Sequence, residues 1–137
     1  ALLLARLHGD PLNQLEPVMD GRMLQHLQKL CERMPMSESL IGYISQLMRA
    51  TRQHPQVQLG ASPRAALALM RCGRAMALLS NRKNVTPALI QSLLEPVLSH
   101  RLVFRDARYQ NTAARTEFWQ EIMEATTVPD QQTARAS

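Results

Sequence analysis

Residues 60–79 read GASPRAALALMRCGRAMALL, and the rest of the chain can be organised around them. Ser62 followed by Pro63 is a helix-start signal. A serine hydroxyl can cap free backbone N–H groups, and proline suits the first helical position, where no N–H is needed. The spacing predicts a helix from about 63 to 80 that is apolar over most of its circumference, at Leu67, Leu69, Met70, Cys72, Met76, Leu78 and Leu79. Such a helix belongs at the centre of a bundle. Arg64 is then the second helical residue, at the end where aligned peptide dipoles place roughly half a positive charge. An exposed cation there is disfavoured by about 0.3–1 kcal/mol.

Working outward, the same devices recur. Upstream, Asp20 can cap a helix to about Met34 whose apolar positions Met23, Leu24, Leu27, Leu30, Cys31 and Met34 define one buried face. Ser37 caps the next helix, with the stripe Leu40, Ile41, Ile44, Leu47 and Met48. It should end before His54-Pro55, since a residue preceding proline avoids helical geometry. Gln56 to Leu59 reads as short and extended. Downstream, Asn81-Arg82-Lys83-Asn84 is a polar loop, and Thr86-Pro87 repeats the cap-plus-proline start. The helix it opens carries Ile90, Leu93, Leu94, Val97 and Leu98, with Pro96 able to bend or shorten it. Residues 99–111 read as an extended loop, and a last helix over about 112–125 puts Phe118, Trp119, Ile122 and Met123 on one side. The expected fold is therefore all-α, a small bundle of four to five helices, over 1–128, with a disordered tail at 129–137.

Composition agrees. The 137 residues suit one domain, with 45% hydrophobic and 20% charged residues and only 4% aromatics. No apolar run approaches the roughly 18–20 residues needed to cross a bilayer. The opening ALLLARLHGD lacks a basic region and a small-residue cleavage pattern, so it reads as the inside of a helix in a larger protein rather than a signal peptide. Cys31 and Cys72 fall in apolar helical patterns and are expected to be buried free thiols, which fits a reducing cytoplasm. The net charge of +5 rests almost wholly on arginine. It permits nucleic acid, anionic membrane or nucleotide phosphates as partners without choosing among them.

The chain has no phosphate loop, since none of its glycines is followed by lysine. It has no nucleophile elbow, and its histidines (His8, His26, His54 and His100) show no metal-ligand spacing with one another or with the cysteines. No catalysis and no metal are expected of the chain alone. The arginines are the remaining chemistry. At about 100° per residue, Arg71 lies within roughly 20° of Arg64, and Arg74 lies about 80° from Arg64 round the same way. Arg71 and Arg74 read either as a solvated face or as part of a basic stripe. Arg64 reads either as a surface arginine or as a phosphate contact, because a helix N-terminus already favours an anion and a guanidinium fork suits phosphate.

Residues 60–102, GASPRAALALMRCGRAMALLSNRKNVTPALIQSLLEPVLSHRL, closely resemble the C-terminal lid of MoxR-type AAA+ ATPases. GDPLNQLEPV at 9–18, LIGYISQLMRATRQHP at 40–55 and FWQEIMEATTVP at 118–129 resemble further segments of that family. Two departures stand out: Ala88 and Leu89 where the family commonly has acidic residues, and Cys72-Gly73 where it is alanine-like. A mid-helix glycine costs roughly 1 kcal/mol relative to alanine. The resemblance implies that Arg64 is the sensor 2 arginine, reaching the γ-phosphate of ATP held with magnesium by a core domain outside this chain, with Ser62 and Ala61 beside it at the nucleotide. It implies a bacterial, cytoplasmic ring oligomer, usually a hexamer. Its role would be chaperone-like maturation of partner complexes, which often contain von Willebrand factor A domains. The alternative is a stand-alone basic helical module for nucleic acid or a protein partner. Few aromatics and no Gly-Lys-rich loop count against nucleic acid.

Overall fold

The computed structural model describes residues 15–129. The helix fragment expected at the start of the chain, the break at Gly9-Asp10-Pro11-Leu12 and the tail beyond Pro129 lie outside the described residues. Helices α1 (Gly21–Arg33), α2 (Glu38–Gln53), α3 (Pro63–Leu79), α4 (Pro87–Leu98) and α5 (Thr112–Glu124) make up most of the rest. The side chains of Asp20, Ser37, Ser62, Thr86 and Asn111 each accept a hydrogen bond from a backbone N–H of the first turn they precede. Helix α3 ends in a Schellman motif. Asn81 takes the left-handed conformation at φ 50, Arg82 N–H donates to the Ala77 carbonyl at 2.9 Å and Asn81 N–H to that of Leu78 at 3.0 Å.

The bundle is built on α3, which packs most extensively on α4 and also meets α1 and α2, while α5 closes the far side against α2 and α4. Tyr43, Ile44 and Leu47 of α2, Leu69 of α3, Ile90, Leu94 and Leu98 of α4, and Phe118 and Ile122 of α5 fill the core. Helix α3 is central but not buried all round, as its sequence suggests. Its buried row is Ala65, Leu69, Gly73 and Ala77, four apart and mostly small, while Leu67, Met76 and Leu79 face outward and Leu79 is 80% exposed. The small row lets α4 come close. A Cβ at Gly73 would stand 2.8 Å from Ile90 Cδ1 and 3.3 Å from Val85 Cγ1, which is why a glycine is placed where helix propensity disfavours it.

Three further expectations are corrected. Cys72 is exposed and Cys31 only half-buried, although both thiols are free. Cys72 lies off the buried row of α3, so its apolar neighbours in sequence are not its neighbours in space. The face of α1 is only half covered: Leu27, Leu30 and Cys31 are half-buried, but Met23 and Leu24 are exposed, because α1 sits at the margin and leans chiefly on α3. Residues 99–111 are more ordered than a loop, with 3-10 turns at Ser99–Arg101 and Ala107–Gln110 flanking a short strand β2 (Val103–Phe104). This strand pairs antiparallel with β1 (Val57–Leu59), Val57 opposite Phe104 and Leu59 opposite Val103, with an irregularity between. The sheet ties the α2–α3 connection to the segment leading into α5.

Candidate functional site

The segment from α2 to the start of α3 must turn back sharply, and the turn is held by the residues it leaves behind. Thr51 continues the buried stripe of α2 and is itself fully buried. Its hydroxyl donates to the Met48 carbonyl at 2.8 Å and accepts the Ala61 N–H at 3.0 Å. Arg52 Nη1 donates to the Ala61 carbonyl at 2.8 Å. The backbone of one residue, Ala61, is thus gripped at both its N–H and its carbonyl by consecutive residues of α2. Gly60 permits this approach. A Cβ there would fall 2.5 Å from Arg52 Cγ, 2.6 Å from its Cα and 2.8 Å from its N.

From this turn α3 departs with Ser62 as cap, its hydroxyl accepting from Ala65 N–H at 3.3 Å and its carbonyl from the N–H groups of Ala65 at 2.9 Å and Ala66 at 3.2 Å. Pro63 has no N–H, so Arg64 carries the N–H of the first turn that has no acceptor within the helix. The Arg64 side chain is exposed, α3 has no acidic residue in its first turn, and among the described residues no carboxylate pairs with Arg64. An unneutralised guanidinium therefore extends from the positive end of a helix whose start is fixed from behind. Chemically that is half of an anion site.

The sequence-derived residues do not share one role here. Arg64 and Ser62 stand at the exposed turn. Ala61 is fully buried, with its N–H and its carbonyl both engaged by α2, so it braces the turn rather than offering a group to a nucleotide. Arg71 is exposed on the same side of α3 as Arg64, with exposed Leu67 between them, whereas Arg74 is half-buried with its Nε unpartnered. Thr51, Arg52 and Gly60 are the residues that sequence reasoning missed. A signal existed for Thr51, a hydroxyl at the next position of an otherwise apolar stripe. Among the described residues no group of three or more His, Cys, Asp or Glu side chains could hold a metal. No described helix is long and apolar enough to cross a membrane.

A separate groove of about 810 Å³ opens at the other end of α4, lined by Glu95, Ser99, His100, Phe104, Tyr109 and Arg115 among others. Two of its charged groups pair, Arg115 reaching Glu95 at 3.4 Å, and Arg115 also donates to the carbonyl of Gln110 at 2.9 Å. None of the candidate nucleotide-contacting residues, Arg64, Ser62 and Ala61, lines it.

Comparison with known proteins places this turn in a family. The model of the AAA lid domain matches residues 49–124, a span that begins just before Thr51 and ends with α5. The chain belongs to the AAA lid domain family. The lid is 38% identical over 125 residues, 90% of its own length and 39% of the relative's, to the uncharacterized protein YeaC of Bacillus subtilis. It is 30% identical over 99 residues, 66% of its length and 26% of the relative's, to chaperone MoxR1 of Mycobacterium tuberculosis. A crystal structure from Cytophaga hutchinsonii, described as that of a "putative ATPase", superposes with a TM-score of 0.65 at 26% identity, over 74% of the lid and 34% of that chain. The lid is thus of the MoxR type, and it spans less than half the length of each of these proteins.

Proposed function

We propose that this lid closes over a nucleotide bound by the AAA+ core of a longer protein and that Arg64 is its sensor 2 arginine. The observation that carries the reading is the exposed guanidinium at the second position of α3, with no carboxylate to neutralise it among the described residues and a turn behind it gripped by α2. A charge in that position is disfavoured by a fraction of a kilocalorie in water, about 0.3–1 kcal/mol. A charge-assisted bond to phosphate is worth more, about 1.5–3 kcal/mol. With ATP and magnesium supplied by the core, Arg64 would meet the γ-phosphate, stabilise charge developing in hydrolysis and couple the state of the nucleotide to the angle of the lid. Serine 62 would set the helix end that receives the phosphate, through its cap.

In this reading the whole protein is an ATPase that assembles into a ring, usually a hexamer, in the bacterial cytoplasm. Hydrolysis moves the lid as a rigid body against its own core and the neighbouring subunit, and the motion serves chaperone-like maturation of partner complexes, including those with von Willebrand factor A domains. Support for the chaperone role is the similarity to MoxR1, a protein named as a chaperone. The test is Arg64→Ala in the full-length protein. Turnover of ATP should fall by about 10²–10³-fold, the range for loss of one preorganised charge-stabilising donor. Helix content and oligomer size should be unchanged. Turnover equal to that of the wild type removes Arg64 from the mechanism.

A further inference from the structure

A guanidinium that must meet a phosphate supplied by another domain is only as useful as its aim. Arg64 sits near the start of a helix, and the helix start is fixed through a single residue, Ala61, and the two peptide units that flank it. Both backbone polar groups of that residue are held by consecutive residues of α2: the N–H by Thr51 Oγ1 at 3.0 Å, the carbonyl by Arg52 Nη1 at 2.8 Å. Thr51 cannot drift, because it is fully buried and its own proton is committed to the Met48 carbonyl at 2.8 Å. Gly60 lets the turn lie against the Arg52 backbone closely enough for both bonds to form.

From this arrangement we infer that Thr51 and Arg52 are positioning residues for Arg64: the last turn of α2 sets the direction in which the arginine leaves the lid. The inference rests on the sensor reading of Arg64. It goes further by naming the lever, since a rotation of α2 is passed to Arg64 through one clamped residue, Ala61. Thr51 is sealed in the core and acts only through the turn. Arg52 spends its Nη1 donor on a carbonyl of its own chain.

The experiment uses the full-length protein with Thr51→Val, Thr51→Ser, Arg52→Met, Arg64→Ala and the double variant Thr51→Val/Arg64→Ala. Valine keeps the volume of Thr51 and removes both bonds, whereas serine keeps them. Steady-state ATP turnover, amide exchange over residues 60–66 and thermal unfolding are read for each. Thr51→Val should lower kcat by about tenfold while the KM for ATP moves less than about twofold, the signature of lost transition-state contact rather than lost binding. Exchange over 60–66 should quicken while α4 stays protected. Thr51→Ser should restore the wild-type values. The double variant should be no slower than Arg64→Ala, because a residue that acts through Arg64 has nothing left to aim.

Arg52→Met removes one arm of the clamp from the exposed side, so the question stays answerable if Thr51→Val does not fold. Wild-type turnover in both clamp variants alongside a slow Arg64→Ala overturns the positioning role and leaves the sensor standing. So do losses that multiply in the double variant. Unchanged turnover in Arg64→Ala overturns the sensor reading itself, and the catalytic role of the clamp falls with it.

Discussion

Two glycines of α2 and its following turn respond oppositely to one added methyl group. Gly42 lies within α2 with nothing inside 4 Å of where a Cβ would stand. Gly42→Ala therefore gains helix propensity at no steric cost, and urea unfolding of the chain should show it more stable by about 0.5–1 kcal/mol. At Gly60 the new atom would meet Arg52 Cα and N at 2.6 and 2.8 Å, and backbone atoms cannot step aside as a side-chain end can. Gly60→Ala should lose at least about 1–3 kcal/mol. It should also speed amide exchange of Ala61, whose bond to Thr51 depends on the close approach. Equal stability of the two variants would contradict this account of the turn. At this scale the sequence was legible in part. The cap, the proline and the odd placement of Arg64 are all local, within three residues of one another. The grip of Thr51 and Arg52 on Ala61 spans nine and ten residues and appears only once α2 and α3 are folded back together.

Among the elements, α5 is attached by one aromatic side chain more than by charge. Phe118 is fully buried, edge-on to Phe104 at 5.0 Å and to His54 at 4.9 Å, and close to Trp119 and Tyr109 as well. Beside it His54 Nε2 meets Glu121 at 2.9 Å, but the Glu121 side chain is 55% exposed. Solvent screens such a pair to about 0–1 kcal/mol, whereas emptying a buried phenylalanine site costs about 3–5 kcal/mol. Phe118→Ala should therefore lower the unfolding free energy several times more than Glu121→Gln, as read by chemical denaturation of the two variants. The reverse order would mean that the His54–Glu121 contact, not the ring, fastens α5. The helices themselves were readable because each has a cap and a stripe at helical spacing. The strand pair was not, for β2 has two residues, Val103 and Phe104, too few to show an alternating pattern. Its partner β1 was seen as extended, yet nothing in Val57–Leu59 names the segment that pairs with it.

For the whole molecule, what matters is how much of a nucleotide site one lid can hold. On the proposed reading, its offer to a triphosphate is the Arg64 guanidinium and the free N–H at the first turn of α3. Charge-assisted hydrogen bonds are worth about 1.5–3 kcal/mol each in net terms, so two of them reach about 3–6 kcal/mol. Immobilising the ligand costs at least about 4 kcal/mol. A dissociation constant of 1 mM already requires a surplus of about 4 kcal/mol. The chain of 137 residues by itself should thus bind Mg-ATP more weakly than about 1 mM, and titration calorimetry at submillimolar nucleotide should register no saturable heat. The outward apolar residues make the same point on another surface. Leu67 lies between Arg64 and Arg71, and Met23 and Leu24 face out from α1, an arrangement suited to contact with the rest of a longer protein. Saturable binding with micromolar affinity would require several more phosphate ligands than α3 presents. The lid would then hold a nucleotide site of its own, and Arg64 would no longer need a phosphate from the core to account for its place at the wrong end of a helix.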